Sequence, residues 1–323
     1  MEEILYDEIP SLDLENFYGG DQKRKDQFVS DLGAAFHNIG FVAIRNHFLS
    51  ADLQEELYTA VRKFFTLPDA VKSGYERGGL AGQRGYTGKG KEHAKGRNTG
   101  DLKEFFHIGQ ELPEARMEEG YPANIWPDEV PELRSVSMEV YRALEKTGAF
   151  LLRAIALYLH LPENYFDDKI ENGNSILRPI HYYPIEDPDA VPVDAVRAAE
   201  HGDINLITLL MGASADGLQV LRHDGKWIPI TALPSQLVVN VGDMLERLTN
   251  KTLRSTIHRV VNPPREHLRT PRFSIPFFMH PRSEMSLAAL PDCVSSQNPK
   301  RWDDITAGEF LNQRLAEIGL KKL

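Results

Sequence analysis

The sequence is poor in cysteine: Cys293 is the only one among 323 residues. One cysteine can form neither an intramolecular disulfide nor a cluster of thiolate metal ligands, which excludes disulfide scaffolds, zinc fingers and iron–sulfur sites. Long apolar runs are also missing. The longest, around 149–159, is interrupted by Arg153 and is much shorter than the roughly 20 residues that a membrane span needs. We therefore expect no membrane-spanning helix.

An excess of positive charge is absent as well. The chain has 37 Lys and Arg against 47 Asp and Glu, a formal net charge of -10, which would repel nucleic acid unless basic residues cluster. No nucleic-acid partner is expected. The first residues, Met1-Glu2-Glu3, are acidic and do not resemble a signal peptide, so a cytoplasmic location is predicted. The composition, 41% hydrophobic and 26% charged, is typical of a folded globular protein.

The N-terminal third is predicted to mix helices and strands. A short strand is expected at 41–44, and Ser50 can cap a helix that Pro68 stops. An earlier helix, ended by Gly40, is predicted from apolar residues on one helical face: Phe28, Leu32, Phe36 and Ile39.

The segment 74–100 is rich in glycine and in basic residues. Two acidic residues, Glu76 and Glu92, oppose a larger basic set: Arg77, Arg84, Lys89, Lys91, Lys95 and Arg97. This composition favours a mobile basic loop. Two interpretations remain open: a solvated loop with no role, or, because a basic loop attracts anions, a lid over an anionic substrate, which suggests an acidic or carboxylated small molecule.

The remaining segments predict a β core with helical supports. Short β-branched and aromatic runs separated by turn residues extend from Ile176 to Phe278, a pattern typical of a β-sandwich or barrel. A helical pattern at 129–159 should brace this core, and a helix at 305–323 should close one end. We expect one compact unit over 1–323, with an N-terminal α/β and helical bracing region, a β core and a C-terminal helical segment, at 1–172, 173–281 and 282–323.

Two histidines and a carboxylate form a candidate metal site. His201 and Asp203 are two residues apart, so in an extended segment their side chains share a face and can bind one ion. His258, in a plausible strand, would complete a facial triad that leaves three coordination positions open.

Arg272 and Ser274 extend this candidate site. They alternate along a strand predicted at 272–276, and the turn-forming residues before it suggest a hairpin with the run 255–261. A guanidinium and a hydroxyl on one face can hold a carboxylate end-on.

In their order and spacing, these motifs resemble the non-haem iron(II), 2-oxoglutarate-dependent oxygenases, in the branch that contains isopenicillin N synthase and the plant flavonoid and gibberellin oxidases. The resemblance covers nearly the whole chain. It implies a mainly β fold with flanking α: a double-stranded β-helix (jelly roll, cupin-like) core, an N-terminal α/β region and bracing helices. The segments that carry it are 9–14, 40–47, 101–106, 177–184, 201–203, 217–220, 240–243, 248–250, 255–260 and 272–274.

The resemblance also implies roles for particular residues. His201, Asp203 and His258 would ligate Fe(II) as the catalytic and metal-binding residues, and Arg272, Ser274 and Tyr183 would bind 2-oxoglutarate. With O2, such an enzyme oxidises an unactivated C–H bond of a small molecule by hydroxylation, desaturation or ring closure, releasing succinate and CO2.

Several alternatives remain open. Isopenicillin N synthase and the plant ethylene-forming oxidase keep the Arg and Ser pair without using 2-oxoglutarate, and two histidines with a carboxylate also suit a zinc hydrolase or a non-catalytic binding protein. His181 is a pocket residue or a buried hydrogen-bonding histidine. We expect His107 to pack in the core, and Asn240 and Asp243 to be structural.

Overall fold

Two β-sheets with helices packed on them make up the part of the chain that the structure, a computed structural model, describes. That part comprises residues 4–80, 82–92, 100–112, 121–185, 187, 196–211, 217–230, 233, 235–264 and 267–317. The helices are α1 (Glu15–Tyr18), α2 (Gln22–Asn38), α3 (Ala51–Phe65), α4 (Asp69–Ser73), α5 (Glu132–Tyr158), α6 (Asp167–Ile170), α7 (Asp243–Leu248) and α8 (Ala307–Glu317). None of these described helices has the length and apolar character needed to cross a bilayer.

Helix α2 ends, and helix α3 begins, where the sequence predicts. The Asp21 side chain accepts a hydrogen bond from the Arg24 amide at the start of α2, and Ser50 accepts one from the Leu53 amide at the start of α3. Beyond α2, Gly40 has a φ of +74° and lies so close to Arg254 that a Cβ would overlap the Arg254 carbonyl. Glycine fits this position because it tolerates both the positive φ and the close approach.

The described strands pair into a larger and a smaller sheet. They are β1 (Ser11–Asp13), β2 (Phe41–Arg45), β3 (Gly85–Thr87), β4 (Glu104–Gly109), β5 (Ile176–Leu177), β6 (Ile180–Tyr182), β7 (Ala198–His201), β8 (Ile207–Met211), β9 (Leu218–Leu221), β10 (Trp227–Pro229), β11 (Leu237–Val241), β12 (His258–Val260) and β13 (Arg272–Met279). The larger sheet has the order β1-β2-β11-β8-β13-β5-β4-β3, with β6 pairing β13 and β4, and the smaller has the order β10-β9-β12-β7.

From β7 onwards the chain passes back and forth between the two sheets. Strands β7, β9, β10 and β12 belong to the smaller sheet, while β8, β11 and β13 belong to the larger one. This alternation of antiparallel strands between facing sheets is the jelly-roll arrangement. The predicted fold class, a mainly β core with flanking helices, is confirmed.

The predicted hairpin between the runs 255–261 and 272–276 is wrong. Strand β12 pairs with β7 and β9, whereas β13 pairs with β5, β6 and β8 in the other sheet. The connection after β12 contains Pro263 and Pro264, which have no amide hydrogen to continue a ladder. The chain therefore crosses between sheets instead of turning back on itself.

The segment 74–100 is more ordered in its described part than a mobile loop. It contains β3, which pairs with β4, and the Tyr86 side chain at its centre is buried against the core. Lys89 and Lys91 form ion pairs with Asp69 and Glu76. Lys95 and Arg97 lie outside the described residues.

The long helix α5 braces the larger sheet, as the sequence predicts. One buried apolar cluster joins its inner face to α2, α3 and strands β8, β11 and β13. Helix α2 packs tightly on α5 at Gly33, where an added Cβ would overlap the ring of Tyr158. The absence of a side chain at Gly33 therefore sets the distance between these two helices.

We expect Gly33→Ala to lower the free energy of unfolding by about 1–3 kcal/mol, because the new methyl group must displace the Tyr158 ring in a packed interior. Urea denaturation followed by circular dichroism would measure the change. Gly78→Ala is the matched control, since no atom lies within 4 Å of a Cβ at that position. Equal stability of the two variants would contradict the close packing at Gly33.

Candidate active site

The three predicted metal ligands come together where the smaller sheet meets the turn after β7. His201 is the last residue of β7 and lies directly opposite His258, the first residue of β12, in the antiparallel register. Directly opposed residues on neighbouring strands place their side chains side by side. Asp203 follows His201 after the single residue Gly202. The ladder thus brings together two histidines that are far apart in sequence.

The spacing of the three side chains suits one metal ion. Asp203 Oδ1 lies 4.0 Å from His201 Nε2 and 3.8 Å from His258 Nε2. The ligand atoms of the three residues all lie within 4.8 Å of one another, and within the described part of the chain no other group of three His, Cys, Asp or Glu side chains is so arranged. Two imidazoles and one carboxylate are the donor set of non-haem iron(II) sites with open positions.

Hydrogen bonds orient both imidazole rings. His201 Nδ1 lies 2.7 Å from the Ala199 carbonyl oxygen, and His258 Nδ1 lies 3.1 Å from that of Thr256. Because a carbonyl can only accept, each Nδ1 donates and each Nε2 keeps a free lone pair. Both lone pairs are then available on the side that faces Asp203.

The Asp203 carboxylate is held from the opposite direction. Its Oδ2 accepts hydrogen bonds from Thr208 Oγ1 at 2.6 Å and from Asn240 Nδ2 at 2.8 Å. These donors belong to β8 and β11 of the larger sheet. With Oδ2 occupied, Oδ1 is the oxygen that faces the histidines.

The electrostatics favour the protonation states that metal binding needs. Burial, followed by the neighbouring His258, lowers the pKa of His201 to about 4, so the ring is neutral at pH 7. Burial alone would raise the pKa of Asp203, but the nearby histidines and the bonds from Asn240 and Thr208 outweigh it and lower that pKa. A neutral imidazole and an ionised carboxylate bind a cation without first losing a proton.

A cavity of about 480 Å³ connects the triad with the predicted co-substrate residues. Alternate residues of β13 and its extension line it: Arg272, Ser274, Pro276, Phe278 and His280. Arg272 is 7% exposed, its guanidinium lies 4.9 Å from the Tyr182 ring, and its Nε and Nη1 have no hydrogen-bond partner among the described residues. Buried unpaired donors beside a buried hydroxyl fit the carboxylate of an oxo-acid.

Tyr183 does not join this group. Tyr182 lines the cavity instead, and Tyr183 is absent from the described lining and lies beside Lys89, whose Nζ is 5.2 Å from its ring. Tyr182 is the last residue of β6 and lies opposite Arg272 in the register with β13, whereas Tyr183 follows the end of this strand. His181 likewise points away, with Nδ1 2.7 Å from Glu104 Oε1 and its ring stacked on Phe273.

Three residues near the site differ from their sequence-based interpretation. Asn240 and Thr208 hydrogen-bond to the metal-ligand candidate Asp203, although the sequence predicts a structural role for Asn240 and no particular role for Thr208. A signal is present, because each is a polar residue within an apolar strand, and buried polar groups need partners. His107 lines the cavity rather than packing only in the core.

Comparison with known proteins identifies the family to which this chain belongs. The model of the 2OG-Fe(II) oxygenase superfamily matches residues 173–281, and that of the "non-haem dioxygenase in morphine synthesis N-terminal" matches residues 9–129. A 2-oxoglutarate-Fe(II) type oxidoreductase of Emericella nidulans is 31% identical over 313 residues, covering 94% of this chain and 88% of the relative. The chain belongs to the 2OG-Fe(II) oxygenase superfamily.

Solved structures of this superfamily match along nearly the whole chain. A 2OG-Fe(II) oxygenase family protein of Caulobacter crescentus is 43% identical with a TM-score of 0.85, covering 96% of this chain and 99% of the other. A full-length Neurospora crassa protein in complex with alpha-KG (2-oxoglutarate) and thymine is 31% identical with a TM-score of 0.84, covering 95% and 96%. The enzyme is a 2-oxoglutarate-dependent oxygenase with iron(II) as its metal, as the sequence resemblance implies.

We expect Thr208→Val to weaken Fe(II) binding about 10- to 100-fold, because it removes one of the two donors that fix Asp203 Oδ2. Anaerobic equilibrium dialysis against Fe(II) would measure the dissociation constant without needing turnover. Thr249→Val is the matched control: this buried hydroxyl donates to the Leu245 carbonyl within a helix, away from the cavity. Unchanged affinity in Thr208→Val would show that the hydrogen bond does not position the ligand.

Proposed function

We propose that His201, Asp203 and His258 hold Fe(II), and that Arg272 and Ser274 anchor the far carboxylate of 2-oxoglutarate in the same cavity. The observation that carries this proposal is the buried guanidinium of Arg272, whose Nε and Nη1 have no hydrogen-bond partner among the described residues and which lines the same cavity as the triad. Iron(II) and 2-oxoglutarate, with O2, supply the oxidant for an unactivated C–H bond and leave succinate and CO2 as co-products.

The charges lining the cavity support this role for Arg272. Among the described lining residues, Lys103, Arg178 and Arg314 each have a carboxylate within 4.0 Å. Arg272 is the one described cation there without such a partner. A dicarboxylate bound to the metal at one end would therefore find its single free counter-charge at Arg272.

Two further side chains support the same anchor. Tyr182, opposite Arg272 in the register of β6 and β13, packs its ring under the guanidinium. The Arg197 guanidinium lies 5.9 Å from the centre of the same ring. The pKa of Arg197 is lowered mainly by burial and next by the positive charge of Arg272. We therefore infer that Tyr182 takes the contact that the sequence resemblance implied for Tyr183.

The protein's share of the reaction is positioning. The hydrogen bonds that Asp203 Oδ2 accepts and that the two histidine Nδ1 atoms donate fix the ligands before the metal binds, so little reorganisation is needed. The enclosed cavity holds the substrate C–H bond near the metal and keeps other hydrogen donors away. An oxidase that does not use 2-oxoglutarate, in the manner of isopenicillin N synthase, is disfavoured because the relatives described above are named for 2-oxoglutarate or bind it.

We also propose that 1–323 functions as one unit, with the bracing region 1–172, the core 173–281 and the segment 282–323 folding together. One buried apolar cluster supports this, because it contains Leu32, Leu209 and Leu287, one from each region. Regions that share a core are expected to unfold together.

We expect Arg272→Gln to weaken 2-oxoglutarate binding by about 100-fold or more, because the variant loses a desolvated charge pair worth several kcal/mol. Anaerobic titration of the Fe(II)-loaded protein with 2-oxoglutarate would follow the visible charge-transfer band of the chelated oxo-acid. Fe(II) affinity itself should change little. Arg153→Gln is the matched control, since Arg153 pairs with Asp167 away from the cavity.

Two results would count against this assignment. A wild-type protein that binds Fe(II) but shows no band would argue for an oxidase without 2-oxoglutarate. An Arg272→Gln protein with the wild-type dissociation constant for 2-oxoglutarate would move the anchor elsewhere. Release of succinate in proportion to substrate oxidised would support the full assignment.

A further inference from the structure

A network of paired charges lines the cavity beyond the triad, and the proposed binding of iron and 2-oxoglutarate does not use it. Lys103 Nζ lies 2.8 Å from both Glu92 Oε1 and Asp101 Oδ2, and Arg178 Nη1 lies 3.2 Å from the same Glu92 oxygen. All four side chains line the cavity. We call Glu92, Asp101, Lys103 and Arg178 the charged wall.

The charged wall is close to the metal ligands. Asp101 Oδ1 accepts a hydrogen bond from the Ala199 amide at 3.4 Å, and the Ala199 carbonyl is the acceptor of His201 Nδ1. Lys103 is also among the charges that lower the pKa of His201, after burial and His258. A substrate placed next to the iron therefore lies against this wall.

The charges of the wall cancel one another. Both cations are paired with carboxylates, and the remaining described lining cation apart from Arg272, Arg314, lies 3.3 Å from Asp243. In the described part of the basic loop, Lys89 and Lys91 also pair locally. With Arg272 used by 2-oxoglutarate, a second carboxylate would enter a site without a free counter-charge and beside two acidic groups.

Buried acceptors without partners complete the pattern. Glu92 and Asn174 line the cavity and are 8% and 5% exposed, and the buried atoms Glu92 Oε2 and Asn174 Oδ1 have no hydrogen-bond partner among the described residues. His280 also lines the cavity, and its buried Nδ1, likewise without a described partner, donates or accepts according to the tautomer of the ring. Burial lowers the pKa of His280 to about 4, so its ring is neutral. Burial alone would raise the pKa of Glu92, but Arg178 and Lys103 lower it well below its usual value, so this carboxylate stays ionised and can only accept.

We propose that the prime substrate is an uncharged molecule that donates N–H or O–H groups to Glu92 and Asn174, such as a carboxamide, lactam or cyclic imide, and that the charged wall excludes carboxylates. This inference rests on the proposed binding of 2-oxoglutarate at Arg272. It replaces the carboxylated substrate that the basic loop suggested. Unpaired buried acceptors reject a ligand that lacks the matching donors more strongly than apolar contacts do.

The test compares uncharged probes with carboxylates of the same shape. Anaerobic equilibrium dialysis of the Fe(II)- and 2-oxoglutarate-loaded enzyme would use thymine and 5-carboxyuracil, benzamide and benzoate, and cyclohexanecarboxamide and cyclohexanecarboxylate. We expect at least one uncharged probe to bind tenfold or more tighter than its acid. Acids that bind as tightly as their uncharged partners, or no binding of any uncharged probe at 5–10 mM (roughly the millimolar limit of weak ligands), would overturn the inference.

Variants test whether the charged wall causes the preference for uncharged probes over acids. In Glu92→Gln, Lys103 and Arg178 lose a shared carboxylate, so the preference for the uncharged probe should fall at least tenfold. Glu163→Gln, which removes an outer carboxylate paired with Lys25, should keep the wild-type preference. If Glu92→Gln does not fold, Asn174→Ala should weaken the uncharged probe without strengthening the acid. An unchanged preference in the folded variants would overturn the role of the wall.

The charge-transfer band of iron-chelated 2-oxoglutarate separates this inference from the function on which it rests. A wild-type protein without the band would refute the proposed anchoring of 2-oxoglutarate, and with it the premise of the inference. A protein that shows the band yet prefers the acids would refute the uncharged substrate alone.

Discussion

The active site depends on the way in which one carboxylate is held. Asp203 Oδ2 accepts hydrogen bonds from β8 and β11 of the larger sheet, whereas the two histidines that face Oδ1 come from β7 and β12 of the smaller sheet. The Asp203 carbonyl also accepts from the Asp243 amide at 2.7 Å, at the start of α7. The metal site therefore lies at the junction of the two sheets, and the passage of the chain between the sheets is what assembles it. Preorganised ligands of this kind bind a metal with little rearrangement.

The cavity contains two kinds of charged side chain, one without a partner and the others paired. The buried guanidinium of Arg272 has no carboxylate partner in the described part of the chain, which is consistent with a ligand that brings its own negative charge. Lys103 and Arg178 are instead paired with carboxylates within the protein, and among the described residues beside them Glu92 Oε2 and Asn174 Oδ1 are acceptors without a partner. A buried charge without a partner is unfavourable, as is a buried acceptor without a donor. One pocket can in this way distinguish an anionic co-substrate from an uncharged substrate.

Local sequence patterns predict a large part of this structure. Caps and apolar spacing locate α2 and α3, and the spacing of His201 and Asp203 within a β-rich segment indicates the metal site. Sequence patterns do not show which sheet a strand joins. The predicted pairing of β12 with β13 is wrong because the two strands belong to different sheets. The co-substrate contact at Tyr183 is implied by the family resemblance alone, whereas in the structure the neighbouring Tyr182 lines the cavity. The charged wall could not be predicted from the sequence, because its residues lie on separate segments and only their contacts in the folded structure identify them as a group.

We propose that Asp203 presents one oxygen to iron while Thr208 and Asn240 hold the other, with 2-oxoglutarate reaching from the metal to Arg272. A crystal structure of the anaerobic complex with Fe(II) and 2-oxoglutarate would show both arrangements. We expect iron bound by both histidine Nε2 atoms and by Asp203 Oδ1 alone, with Oδ2 still hydrogen-bonded and the far carboxylate of 2-oxoglutarate on Arg272 and Ser274. Iron bound elsewhere, a bidentate Asp203 that has lost its two donors, or a co-substrate that leaves Arg272 unpaired would contradict it.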